Sequence, residues 1–139
     1  MDSNFPQAGQ VIGYHYLWRR QAVAGEISGR KSRPTCVALI VANKAGQHIL
    51  FLAPITKQMP GAERIAIEVP ETEARRANLD RDIRLWVIVD EVNADLLEDS
   101  YTLEDREPRG RFSAAFTDRI IQAIHEVRHS GKLSITSRT

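Results

Sequence analysis

Two continuous runs of apolar residues, joined by a short polar segment, constrain the fold more than any other feature of the sequence. The runs are Cys36–Ala42 and Gln47–Ile55, and the residues between them read Asn43-Lys44-Ala45-Gly46. Apolar runs of this length that end at turn residues predict buried strands. A short connection that contains Asn and Gly predicts that the two strands form a β-hairpin.

The other segments predict a mostly β domain of the α+β class. We expect a small, SH3-like, partly closed barrel of about five strands, with a short helix and a C-terminal amphipathic helix packed on it. The amphipathic helix is predicted because apolar residues recur at helical spacing. Besides the hairpin, the predicted strands are Gln10–Trp18, Arg64–Val69 and Leu85–Val92, and the predicted helices are Glu71–Asn78 and Phe112–Val127.

Length and composition predict one domain in a reducing compartment. A chain of 139 residues fits a single domain, which we expect at residues 9–130, with tails at 1–8 and 131–139. The single cysteine, Cys36, cannot form an internal disulfide, which favours a cytoplasmic location. We also expect no membrane segment, because no apolar stretch approaches about 18 residues, and no signal peptide, because the N-terminus has no basic region followed by an apolar stretch.

Charge is distributed unevenly, although the net charge is only +1. The connection Arg19–Pro34 carries five basic residues against one acid, and a loop of this length is usually functional or disordered. The segment Asp90–Glu107 holds eight acids and one base. This second pattern predicts a solvated acidic loop.

The helix sequence His125-Glu126-Val127-Arg128-His129 matches the H-E-x-x-H pattern of zinc proteases. Two histidines four residues apart can bind zinc, and the glutamate can act as a base. However, both histidines fall nearly opposite the apolar stripe of the helix, so we expect them to face solvent. We therefore predict no metal site, and keep a zinc enzyme only as an alternative.

The hairpin register predicts a phosphate-binding site at one end of the sheet. If the loop has four residues, Ala42 pairs with Gln47, and the same register places Arg33 beside Thr56. Paired strands lie about 5 Å apart, so a guanidinium and a hydroxyl meet there. A guanidinium matches phosphate oxygens with a planar, permanently charged fork, and a hydroxyl adds a further donor.

Four motifs in order resemble those of the PemK/MazF family, the plasmid-maintenance toxins. The resemblance covers about Gly9 to Val127. Its order and spacing are more specific than any one of the motifs. The motifs are Gly9-Gln10-Val11-Ile12, Gly29-Arg30-Lys31-Ser32-Arg33-Pro34, Ala53-Pro54-Ile55-Thr56 and Val89-Asp90-Glu91-Val92-Asn93.

The resemblance implies the toxin of a type II toxin–antitoxin system, an endoribonuclease that cleaves single-stranded RNA without a metal ion or other cofactor. Its implied partners are RNA, an antitoxin protein and a second copy of the chain in a homodimer. Arg33 and Thr56 are the implied catalytic pair. Further candidates are Arg30, Lys31, Lys57 and Trp18 for RNA binding, and Glu26, Asp90 and Glu91 for the general base.

A second hypothesis is a non-catalytic protein-binding module on the same fold. The fold class includes a toxin that poisons DNA gyrase by binding, so a protein target is a credible alternative. The sequence also departs from the usual family pattern at residues 26–31, at Lys57 and at Asn93. Cleavage of RNA by the purified protein in EDTA separates the two hypotheses.

Overall fold

The computed structural model describes residues 5–27, 29, 31–100 and 107–138. In these ranges the chain forms eight strands, three α-helices and one 3₁₀ turn. The strands are β1 (Gln10–Tyr14), β2 (Arg33–Ala42), β3 (His48–Thr56), β4 (Ala66–Glu68), β5 (Trp86–Ile88), β6 (Glu91–Leu96), β7 (Gly110–Arg111) and β8 (Ser134–Ser137). The helices are α1 (Arg19–Val23), α2 (Glu71–Arg76) and α3 (Ala114–His129), and the 3₁₀ turn is Leu97–Asp99.

The strands form one mostly antiparallel sheet, which confirms the α+β class. Its order is β4-β5-β3-β2-β1-β7, and β6 pairs with β3 and, in parallel, with β8. The strand pairings of the described residues do not close into a barrel. None of the helices in these ranges combines the length and the apolar composition that crossing a bilayer requires.

The β2–β3 hairpin confirms the predicted register at the end that matters for the site. The turn is one residue longer than predicted, because Asn43 Oδ1 accepts hydrogen bonds from the N–H groups of Ala45 and Gln47. Ala42 therefore pairs with His48. The additional residue Ala38 then shifts the register back, so that Val37 pairs with Leu52 and Thr35 with Pro54, as predicted. Such a shift inside a strand pair is typical of a β-bulge.

The hydrophobic core has two parts, one on each face of the sheet. Adjacent residues of one strand alternate between them: Val11 and Cys36 pack with α2 and α3, whereas Ile12 and Val37 pack on the opposite face. Both faces being covered explains why β2 and β3 read as continuous apolar runs instead of alternating patterns. Burial raises the pKa of the Cys36 thiol to about 12, so the residue acts as a core side chain and not as a nucleophile.

The structure corrects two of the predicted boundaries near the first strand. The strand expected at Gln10–Trp18 ends at Tyr14, and the long connection after it contains helix α1. The side chains of Tyr16 and Trp18 are 1% and 6% exposed and pack in the core that contains Ile12. The aromatic residues after Tyr14 are therefore buried in the core without forming part of a strand, and this is why composition alone predicted too long a strand.

The strand expected at Leu85–Val92 is in fact two strands, β5 and β6, because the chain bends at Asp90. The carboxylate of Asp90 accepts hydrogen bonds from the Nη2 of Arg64 at 2.7 Å and from the N–H of Ile65 at 3.0 Å. These bonds tie the bend to the segment before β4. The result is that β5 pairs with one end of β3, and β6 pairs with the other.

The acidic segment Asp90–Glu107 is not a solvated loop in its described part, which corrects that prediction. It contains β6, and two of its acids, Glu91 and Asp95, are 5% and 3% exposed. The Tyr14 hydroxyl donates to Asp95 at 2.8 Å, and the Tyr16 hydroxyl donates to Glu91 at 3.1 Å. Residues 101–106 of the predicted loop lie outside the described residues.

The C-terminal residues, expected to be a tail, add strand β8 to the sheet. Gly131, with φ +78°, lies in the turn after α3, and the chain then runs parallel to β6. Arg138 fastens the end of this segment. Its Nη1 donates to the His15 carbonyl at 2.7 Å, to Asn93 Oδ1 at 3.1 Å and to the Tyr14 hydroxyl at 3.2 Å.

We predict that Arg138→Ala lowers the free energy of unfolding by about 1–3 kcal/mol, because these three acceptors lose a charged donor. Urea denaturation followed by circular dichroism measures the change. Lys44→Ala, in the exposed hairpin turn, serves as the control and should change the stability by less than about 0.5 kcal/mol. Equal stability of both variants and the wild type would show that the side-chain hydrogen bonds of Arg138 do not stabilise the fold.

Candidate functional site

Arg33 and Thr56 lie at the same end of the hairpin and line the same two clefts. Arg33 begins β2 and Thr56 ends β3. The first cleft, which we call the central cleft, has a volume of about 280 Å³, and the second, which we call the lysine cleft, has a volume of about 660 Å³. The central cleft is lined by Trp18, Arg20, Arg33, Thr56, residues 58–61, Glu63, Arg64 and Ile88. The lysine cleft is lined by residues 31–34, residues 55–58, Leu79, Asp80, Ile83 and Leu85.

The Arg33 guanidinium is held without an acidic partner among the described residues. Its central carbon lies 5.2 Å from the centroid of the Trp18 ring, and its buried Nε has no hydrogen-bond partner in the described part of the chain. Burial lowers the pKa of Arg33, and the positive charge of Arg20 lowers it further. Buried donors are nearly always paired. An anion that enters the cleft can supply the acceptor that Arg33 Nε lacks among the described residues.

Thr56 presents a hydroxyl that is fixed in position and able to donate. Its Oγ1 accepts a hydrogen bond from the N–H of Gln58 at 3.1 Å. Accepting this bond leaves the hydroxyl hydrogen for another acceptor. Together with Arg33, the cleft offers a charged donor and a neutral donor to the same anion.

Trp18 supports the arginines at the central cleft and is not an open stacking surface. Its ring meets Tyr16 edge to face at a centroid distance of 5.1 Å, and guanidinium carbons of Arg20 and Arg33 each lie 5.2 Å from its centroid. Only 6% of the residue is exposed. The indole Nε1 is buried and has no hydrogen-bond partner among the described residues, so the group that Trp18 can offer a ligand is this N–H.

Both lysines predicted to bind RNA lie at the lysine cleft. Lys31 and Lys57 are both exposed and line it together with Arg33 and Thr56. Neither has an ion pair with a described residue. Arg30, the third predicted contact, lies outside the described residues.

Two of the three candidate bases are already engaged by Arg64. The guanidinium binds Asp90 through Nε and Nη2 and also reaches Glu91 Oε2 at 2.9 Å. Glu91 additionally accepts from the N–H of Arg19 at 3.0 Å, and hydrogen bonding to Asp90 holds the pKa of Arg64 above its usual value. The third candidate, Glu26, lines neither cleft.

Glu63 is an acid of the central cleft that sequence reasoning missed. It is exposed, and it has no hydrogen bond or ion pair with a described residue. It follows the segment Met59-Pro60-Gly61, whose Pro and Gly are typical of a turn. Its position two residues after that turn, opposite the end of β3, is the signal that could have pointed to it.

The two histidines of the H-E-x-x-H pattern are exposed on α3, as predicted. Their Nε2 atoms lie 2.9 Å apart. Within the described ranges, no group of three or more His, Cys, Asp or Glu side chains is placed to hold a metal ion. His125 instead borders an apolar groove between α3 and the sheet.

We predict that Glu91→Gln lowers the free energy of unfolding by about 1–3 kcal/mol, because the buried carboxylate accepts from Tyr16, Arg19 and Arg64. Glu63→Gln is the matched control, since the same exchange at an exposed, unpaired position should change the stability by less than about 0.5 kcal/mol. Denaturant unfolding measures both. A stable Glu91→Gln protein would contradict the structural role of this carboxylate.

The site therefore combines two clefts that meet at Arg33 and Thr56, with further cations on either side. Comparisons of the chain with protein-family models, with curated proteins and with solved structures find no match.

Proposed function

We propose that the chain is an RNA-cleaving toxin of the PemK/MazF kind, acting on single-stranded RNA without a metal ion. The observation that carries the proposal is that Arg33, which has no acidic partner and no acceptor for its buried Nε among the described residues, lines the same clefts as the Thr56 hydroxyl. The mostly antiparallel sheet is compatible with the finer part of the proposal, an SH3-like, partly closed barrel over residues 9–130. Homodimer formation, neutralisation by an antitoxin and a cytoplasmic location belong to the same proposal.

The chemistry is an in-line attack of a ribose 2′-hydroxyl on the adjacent phosphorus. The 2′-oxygen–phosphorus bond forms and the phosphorus–5′-oxygen bond breaks, which leaves a 2′,3′-cyclic phosphate and a free 5′-hydroxyl. Arg33 stabilises the negative charge that accumulates on the phosphate oxygens, and Thr56 donates a hydrogen bond to one of them. Because the nucleophile is the 2′-hydroxyl, DNA is not a substrate.

A base must accept the proton of the 2′-hydroxyl, and Glu63 is the acid best placed for this role. Asp90 and Glu91 are bound by Arg64, whereas Glu63 lines the central cleft with Arg33 and Thr56 and has no competing partner among the described residues. This assignment replaces the sequence-based candidates Glu26, Asp90 and Glu91. Glu63 takes the proton from the 2′-oxygen and returns it to solvent, and the leaving 5′-oxygen takes a proton from water, so that the net proton count is unchanged.

We predict that purified protein cuts single-stranded RNA of mixed sequence in EDTA, and that Arg33→Ala lowers the rate by about 10²–10³-fold, because one preorganised donor to the transition state is lost. Thr56→Val, which removes only the hydroxyl, should lower the rate less. Gel electrophoresis of end-labelled RNA measures both, with circular dichroism to verify the fold. RNA that stays intact with wild-type protein across varied sequences would contradict the proposal.

For Glu63→Gln we predict a fall in kcat of about 10²–10⁴-fold with KM nearly unchanged, because proton transfer is lost while phosphate binding remains. Glu107→Gln, an exposed exchange outside both clefts, is the control. A Glu63→Gln protein that keeps the wild-type kcat would assign the base elsewhere.

A second candidate function, a non-catalytic protein-binding module, is favoured by the apolar groove beside α3. The groove has a volume of about 280 Å³ and includes Leu39, Val41 and Ile135, which are 47%, 41% and 51% exposed. Exposed apolar surface of this kind is typical of protein–protein contacts. A tight protein target bound by the wild type, together with no RNA cleavage, would favour this function over the first.

A further inference from the structure

The central cleft is bounded by a cationic residue at each end. On one side it shares Arg33 and Thr56 with the lysine cleft. On the other side it shares Arg20 and Arg64 with an outer cleft beside α1. The three clefts therefore follow one another, and the proposed reaction centre lies at the first boundary.

Of the two arginines at the second boundary, Arg20 is the one that has no acidic partner among the described residues. Arg64 is neutralised by Asp90 and Glu91 at 2.7 and 2.9 Å. Arg20 is exposed, and it has neither an ion pair nor a hydrogen bond to a described residue through its guanidinium. Its guanidinium carbon lies 5.2 Å from the centroid of the Trp18 ring.

Trp18 supplies an independent indication that the central cleft receives a ligand. The side chain is buried to more than nine-tenths, it lines the cleft, and its Nε1 has no hydrogen-bond partner among the described residues. An indole N–H can only donate, so it calls for an acceptor. An N–H donor beside an unneutralised guanidinium is a pairing suited to an anionic oxygen.

We infer that Arg20 and the Trp18 indole form a second phosphate subsite, next to the one at Arg33 and Thr56. The inference rests on the proposed function: the enzyme holds RNA by two neighbouring backbone phosphates, and it cleaves at the one bound by Arg33. Arg20 is a positioning residue, because it binds a phosphate that does not react. A substrate with only the scissile phosphate leaves the subsite empty, so the enzyme discriminates oligonucleotides from dinucleotides.

The subsite also explains why two arginines, whose positive charges repel each other, lie against the same indole ring. The charge of Arg20 lowers the pKa of Arg33, which shows that the two cations disfavour each other in the free protein. Two phosphates offset this repulsion, since each guanidinium then faces its own anion. Helix α1 places Arg20 at this position, and a flexible loop would not hold it there.

The test is RNA binding as a function of salt, measured by fluorescence anisotropy with a single-stranded oligonucleotide that carries 2′-fluoro groups and cannot be cleaved. We expect Arg20→Ala to weaken binding about tenfold and to reduce the slope of log K against log salt by about 0.7, the value for one lost phosphate contact on a single strand. Arg19→Ala is the matched control. It removes the same charge from the same helix but does not line the central cleft, and it should leave the slope at the wild-type value.

Two further readouts separate a binding role from a merely structural one. Trp18→Phe keeps an aromatic support but removes the N–H, so binding should weaken while the salt slope stays unchanged. With cleavable RNA, the wild type should cut an oligonucleotide faster than a dinucleotide of the same scissile step, and Arg20→Ala should lose most of this difference. Arg20→Lys, which keeps the charge, should restore the salt slope.

Failure of this inference is distinguishable from failure of the proposed function. RNA cleavage with equal salt slopes for Arg20→Ala and Arg19→Ala would overturn the subsite and leave the catalytic proposal intact. A reduced slope for Arg20→Ala without cleavage of natural RNA would support the subsite and overturn the catalytic proposal. No binding of RNA by the wild type would overturn both.

Discussion

The pairing of β2 with β3 determines where the ends of both strands lie, and every feature of the candidate site depends on it. The turn at Asn43 adds one residue, and the register shift at Ala38 compensates for it. Without this compensation, every pair beyond it would be displaced by one position, and side chains on one strand would change faces. With it, Arg33 and Thr56 lie at one end of the sheet, where both line the central and lysine clefts.

The electrostatics of this end divide its arginines into two groups. Arg64 is bound by the carboxylates of Asp90 and Glu91, and this network ties the bend between β5 and β6 to the segment before β4. Arg20 and Arg33 have no acidic partner among the described residues, and both lie against Trp18. The first group therefore stabilises the fold, whereas the second leaves positive charge available to an anion. The proposed RNA chemistry depends on this division.

The sequence predicted those features that depend on local patterns and on the hairpin register. Continuous apolar runs located β2 and β3, helical spacing located α3, and the turn placed Arg33 near Thr56. It failed where distant residues decide the outcome. Local charge predicted that Glu91 and Asp95 lie in a solvated loop. The prediction was wrong because their partners, Tyr16 and Tyr14, are more than 70 positions away in the sequence. Strand β8 was not predicted, because its pairing with β6 joins segments that are far apart in the sequence. Glu63 was not predicted as a site residue, because its position depends on how the chain returns to the end of β3.

The most direct test of the account is the indole N–H resonance of Trp18, one of two tryptophans in the chain, observed by ¹H–¹⁵N NMR during titration with uncleavable single-stranded RNA. Trp18→Phe assigns the resonance by its disappearance. If RNA binds between Arg20 and Arg33, this resonance shifts and saturates together with the backbone amides of Arg33 and Thr56. A Trp18 resonance that stays in place at saturating RNA, while residues of the apolar groove beside α3 shift, would contradict the account.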